Sequence, residues 1–336
     1  MPRPIPLFRV DGPLMVFGGP YSNLEATRAV LGEAARLEIP ADRIICIGDV
    51  VAYGADPAAT AALVRGSVRH VVMGNCEQSI AAGSANCGCG FPVGSTCERL
   101  SAAWFAYATR ELNAVARAWM ADLPRRIDIE IGGHRLAIIH GGVDVINRFI
   151  FASSTTAIKL EEIRNAGVDG IIAGHCGLPF TQAINGQLWH NAGAIGTPAN
   201  DGTPRVWFSL LRAEADGIAI EHRALHYDFA AAAAKIRGAG LPEEYAASLE
   251  TGLWSSCDVL PLKEVHERGA ALGPGSAFWP RPLRSEKASR RRRSPVCTQL
   301  WPRRDRDTSR NFGRRSSRIL SSLRQVSSAR MSRYSG

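Results

Sequence analysis

The chain has 336 residues, 46% of them hydrophobic and 21% charged, enough for one large or two small domains whose core needs no disulfide staples. Its longest apolar runs, such as Ala230 to Ala234, are far too short to cross a bilayer. The net charge of +9 is lopsided: from Arg281 to Gly336, sixteen Arg and one Lys face Glu286, Asp305 and Asp307, a balance of +14 that leaves −5 on the first 280 residues. The basic footprint that marks a nucleic-acid-binding fold is therefore absent from the part that folds.

In chain order, residues 1–12 read as an N-terminal extension without an export leader. Leu14 to Phe17 reads as a buried strand, Leu24 to Leu37 as an amphipathic helix, Arg43 to Ile47 as a second strand, Ala58 to Arg65 as a second helix and His70 to Met73 as a third strand. Residues 77–125 read as an insertion, cysteine-containing and then helical. Further strands follow over Ile127 to Ile131, Arg135 to Ile139, Gly170 to Ala173, Gln187 to His190 and Val206 to Leu211, the first two forming a hairpin around Gly132-Gly133. Strands alternating with helices imply an α/β core over 13–228. A helical segment follows over 229–270, in which Leu241-Pro242-Glu243-Glu244 opens a helix with proline in its first turn. From 271 to 336 the Arg/Ser-rich composition has little to bury and reads as a disordered, solvated tail of no specific role; nucleic acid is not expected as a partner except through it.

The chemistry sits where strands end. Strand-end loops carry Gly48-Asp49, Gly74-Asn75-Cys76-Glu77, His140-Gly141-Gly142 and Gly174-His175-Cys176-Gly177. Ligand sites of open α/β sheets form at such ends, and glycine beside each polar residue permits tight turns and close backbone approach. One carboxylate, one amide oxygen and two imidazoles make a mixed O/N donor set suited to a divalent transition metal (Mn, Fe, Zn or Ni) rather than to Ca. Any one of these residues alone reads equally well as a turn aspartate or a satisfied histidine; four in the same context are hard to reach by chance.

In this order the motifs resemble those of the calcineurin-like metallophosphoesterase superfamily: GD, GN(H/C), H, GHxH. Two further stretches, Gly48 to Pro57 and Asn191 to Pro198, are similar to its bacterial branch of predicted phosphodiesterases or diadenosine-tetraphosphatase-like proteins. The resemblance covers about residues 14 to 260. It implies a four-layer α/β/β/α sandwich with metals at one edge. It also implies that Asp49, Asn75, His140 and His175 hold one metal, and that Cys76 takes the place of a leaving-group histidine. The activity implied is hydrolysis of a small phosphorylated or nucleotide substrate by water on that metal. Departures from the family pattern fall together. The first strand of the family ends DxHGN, whereas here Gly19 and Tyr21 stand at the Asp and His positions, and Gly177 replaces the last His of GHxH. These losses strip the other metal site and leave one well-formed site. The alternative that follows is a non-hydrolytic metal- or phosphate-binding relative.

Arg148, in the loop after His140, is a candidate phosphate holder because guanidinium pairs with phosphate oxygens; a surface ion pair is the plainer reading. Tyr21, Cys76, Cys176 and His190 are candidates to rebuild a second site. Eight cysteines without an export leader favour thiols in a reducing, cytoplasmic setting. The cluster Cys87, Cys89 and Cys97 fits a metal site, a redox pair or no special role.

Overall fold

The structure, a computed structural model, describes residues 4–281. Two six-stranded mixed sheets form its centre. The first sheet is built from β1 (Leu7–Arg9), β5 (Arg126–Ile131), β6 (His134–Ile139), β7 (Gly170–Ala173), β9 (Gln187–Ala192) and β8 (Pro179–Ile184), in that order. The second runs β12 (Gly275–Pro280), β11 (Gly217–Leu225), β10 (Val206–Glu214), β2 (Leu14–Phe17), β3 (Ile44–Cys46) and β4 (His70–Val71). Nine α-helices stand among the described residues. They are α1 (Leu24–Arg36), α2 (Pro57–Ser67), α3 (Asn75–Ala81), α4 (Thr96–Glu111), α5 (Ala114–Asp122), α6 (Thr156–Ala166), α7 (Phe229–Gly238), α8 (Glu243–Thr251) and α9 (Leu262–His266).

The layering follows from side-chain alternation along the strands. In β2, Leu14 and Val16 enter the cluster between the sheets with Ile129, Ile138 and Ile172, while Met15 and Phe17 face the helices. In β6, Leu136 and Ile138 join the same inter-sheet cluster, whereas Ala137 and Ile139 pack on Ile163 of α6. Strands buried on both faces read as continuous apolar runs for this reason. Each fully buried Ile or Leu contributes roughly 1.5–3 kcal/mol, so the two sheets and their helical covers lock into four layers.

Two expected boundaries are corrected. Residues 7–9, placed in an N-terminal extension, form β1, which pairs in parallel with β5; Phe8 stacks on His70 with ring centroids 3.9 Å apart. The tail expected from 271 begins later, because β12 pairs antiparallel with β11. Trp279 anchors it, fully buried, with its indole N–H donated to the Gly186 carbonyl (3.0 Å) and its ring stacked on His134. The disorder expected of the Arg/Ser-rich remainder lies outside the described residues. Among the described residues no helix is long and apolar enough to cross a membrane.

Parallel pairing aligns the strand ends that matter. β2, β3 and β4 run in parallel, and so do β6, β7 and β9. Their C-terminal ends bring the loops after β3, β4, β6 and β7 to one edge of the sandwich.

Candidate metal centre

The four residues on these loops converge. His140 Nε2 lies 3.2 Å from Asp49 Oδ2, 3.1 Å from Asn75 Oδ1 and 3.1 Å from His175 Nδ1. The ligand atoms of Asp49, His140 and His175 all fall within 4.8 Å of one another. Asp49, Asn75 and His140 are almost fully buried.

Each side chain is aimed by a second contact. His140 Nδ1 sits 2.7 Å from the Ile47 carbonyl across the sheet interface. A carbonyl only accepts, so Nδ1 carries the proton and Nε2 presents its lone pair to the cluster. The Asn75 amide nitrogen donates to the Cys87 carbonyl at 3.0 Å, which turns Oδ1 inward. Gly74 lets the β3 and β4 loops meet: a Cβ there would lie 2.3 Å from Asp49 Oδ1. Asp49 and His175 both have left-handed backbones, φ 53° and 60°, a strained conformation that in non-glycine residues clusters at functional sites.

Glu77 is the positioning residue behind this geometry, and its sequence neighbours gave no sign of that role. Fully buried, its carboxylate accepts the backbone N–H groups of Asp49 (2.8 Å), Val50 (2.8 Å) and Gly74 (2.9 Å). It thereby ties the aspartate turn to the asparagine turn. Burial, and then the Asp49 charge, push its carboxyl up to about 7.

The donor set suits a cation. With Nδ1 protonated, the lone pair of His140 would face two oxygen acceptors and a second imidazole, a repulsive arrangement unless positive charge sits among them. The titration behaviour carries the same message. Burial alone would depress His140, but Asp49 reverses this and raises it. Burial likewise opposes ionisation of Asp49, and His140 outweighs it, holding the carboxyl below its usual value. Burial together with His140 drives His175 down to about 3, leaving a neutral donor. A site that gathers a proton among four lone pairs in this way fits a divalent ion bound by the same atoms.

The sequence of this chain places it in a family. The profile of the calcineurin-like phosphoesterase superfamily domain matches residues 22–215, more than half of the chain. The chain belongs to the calcineurin-like phosphoesterase superfamily. An uncharacterized protein of Methanocaldococcus jannaschii is 26% identical over 251 residues, spanning 70% of this chain and 96% of that protein. Among solved structures, a metallophosphoesterase from Sphaerobacter thermophilus shares the fold, with TM-score 0.55, 22% identity and coverage of 72% of this chain and 99% of that one. A hypothetical protein from Pyrococcus horikoshii OT3 does so with TM-score 0.61, 18% identity and the same coverages.

The two glycines that stand where the resemblance expects ligands of another metal are crowded by aromatic rings. A Cβ at Gly19 would lie 2.3 Å from Tyr21 Cζ, so the tyrosine at the family's histidine position occupies the space of the missing aspartate. At Gly177 a Cβ would meet the Trp254 ring at 3.3 Å. Trp254 is held there by its indole N–H, donated to the Pro198 carbonyl at 2.7 Å. These rings, with Asp49 and His175, line a cavity of about 110 Å³ measured to water centres.

Other expectations are corrected by what the side chains touch. Arg148 pairs with Glu162 at 2.6 Å, Glu162 also accepts the Val143 N–H, and the cavity lining does not include Arg148. This is the ion pair that was the plainer reading of Arg148. Cys76 is buried and absent from the lining; burial, and then Asp49 and Glu77, push its thiol far up. Burial pushes Cys176 up to about 12. His190 lies away from the cluster, its Nδ1 2.8 Å from Thr181 Oγ1 and its ring stacked on His222. Cys87 and Cys89 form a disulfide, the redox or disulfide pair that was one of the three readings of this cluster, and Cys97 is not paired with either.

Proposed function

We propose that this protein is a metal-dependent phosphoric ester hydrolase acting on a small phosphorylated substrate through a single metal site. The observation that carries the reading is the meeting of Asp49 Oδ2, Asn75 Oδ1 and His175 Nδ1 around His140 Nε2, with Asp49 and His175 lining an adjoining cavity. A divalent ion held by those four residues supplies Lewis acidity toward a phosphoryl oxygen and a lowered pKa for water. The chain's own residues do the rest. The Ile47 carbonyl fixes the imidazole tautomer of His140, and Glu77 locks the two candidate ligand turns together.

A second reading rests on Tyr21 and Trp254, which fill the positions of the other metal's ligands: a relative that binds metal and phosphate without hydrolysis. The test is a panel of phosphate mono- and diesters offered to the full-length protein loaded with Mn, Zn, Fe or Ni. Turnover abolished by His140→Ala supports the hydrolase. Stoichiometric metal without turnover on any ester supports the binding protein.

A further inference from the structure

The cavity beside the metal cluster is built from rings and carries no cation. Tyr21, Tyr53, Phe149, Tyr245 and Trp254 contribute to its walls. Tyr21, Tyr53 and Tyr245 form a continuous aromatic run, with centroid separations of 4.9 and 5.1 Å. Phe149 lies 4.2 Å from the His175 ring and extends the aromatic surface to the ligands themselves. Among the described residues no Lys or Arg lines the cavity, whereas Glu25 and Asp56 do. Lys235 is bonded to both of them, at 2.6 and 2.8 Å. Two carboxylates against one ammonium leave this group net negative.

Enzymes that process polyphosphates or dianionic monoesters surround the phosphate charges with Arg, Lys or several metal ions. Here the positive charge offered to a substrate would be that of a bound metal, offset in part by Asp49. A planar ring, by contrast, finds aromatic walls to pack against. We infer that the substrate is a monoanionic phosphodiester bearing a planar aromatic arm, aryl or nucleobase, and that polyphosphates and phosphomonoesters are disfavoured. The inference deepens the hydrolase reading and rests on the same site. Its core is a binding preference that survives without turnover.

The experiment uses the full chain with and without metal and reads binding by calorimetry, separately from hydrolysis. Probes are the monoanion ethyl phenylphosphonate, which resembles an aryl phosphodiester but resists hydrolysis, its ring-free analogue ethyl methylphosphonate, and inorganic triphosphate. The phenyl compound binds at least tenfold more tightly than the methyl compound, and triphosphate binds more weakly than either to the metal-loaded protein. Trp254→Leu and Phe149→Leu, both at partly exposed positions, each weaken the phenyl compound about fivefold or more and leave the methyl compound within about twofold. In parallel, an aryl phosphodiester with a nucleoside arm and one with a phenyl arm distinguish the two sources of the ring. Equal binding of phenyl and methyl compounds, or tighter binding of triphosphate, overturns the inference even if esters are hydrolysed. Selective phenyl binding with no ester hydrolysed supports it and removes the hydrolase reading instead.

Discussion

Replacing Gly19 by aspartate would restore the carboxylate that the family places after its first strand, and its cost can be worked out from the neighbours of Gly19. The backbone there has φ 41°, a left-handed conformation that costs a non-glycine residue about 1–2 kcal/mol. The added Cβ lands 2.3 Å from Tyr21 Cζ and 2.6 Å from Tyr21 Cε2. Those are ring atoms of a side chain only 5% exposed, and overpacking of this kind costs about 1–3 kcal/mol. Gly19→Asp alone should therefore destabilise by about 2–5 kcal/mol. In a Tyr21→His background the ring clash is gone, and only the backbone cost of about 1–2 kcal/mol remains. Urea unfolding of both single variants and the double variant completes the cycle, with an expected coupling of about 1–3 kcal/mol. If Gly19→Asp costs the same in both backgrounds to within about 0.5 kcal/mol, the two losses at the stripped site are not one steric exchange, and the reasoning fails.

Glu77→Ala leaves the N–H groups of Asp49, Val50 and Gly74 without their acceptor; at about 1–3 kcal/mol per buried unsatisfied group, unfolding should show a loss of several kcal/mol, and metal titration an affinity lower by about tenfold or more. Unchanged metal affinity would deny Glu77 its positioning role. Arg148→Ala should shift stability through the Glu162 pair while leaving KM for any ester substrate within about twofold; a tenfold rise in KM would return Arg148 to the phosphate. Burial pushes His222 down to about 4, so its neutral form contributes stability that is complete above pH 6.5 and is lost as pH falls toward 4, on the order of 3 kcal/mol in all. The slope of unfolding free energy against pH in that window should flatten in His222→Gln, and an identical slope would refute the assignment.

The convergence of the candidate metal ligands was legible because each stands directly after an apolar run, and parallel pairing brings such strand ends to one edge. The strands buried on both faces were legible for a related reason: Leu14 to Phe17 and Gly170 to Ala173 are apolar throughout. β8 and β11 were missed because they are half-exposed, with Thr181 and Gln182, or Glu221 and Arg223, interrupting the pattern. The short β1 escaped because three residues carry no periodicity and its pairing with β5 is long-range. Glu77 stood in the loop after β4 without a role, since nothing local announces that its carboxylate gathers amides from two loops. Trp254 gave no signal either: its contact with Gly177 joins a segment after α8 to a strand-end loop, a proximity visible only in three dimensions. For Arg148 the plainer sequence reading, an ion pair, is what stands in the structure, with Glu162 of α6 as its partner.

Metal content of the purified full-length chain, measured by mass spectrometry and by anomalous scattering from crystals, bears most directly on the convergence of Asp49, Asn75, His140 and His175. One divalent ion per chain, bound by those four side chains and reduced in affinity by at least about 100-fold in His140→Ala, is the predicted result. A chain that binds no ion, or whose ion is indifferent to His140→Ala and His175→Ala, would contradict it.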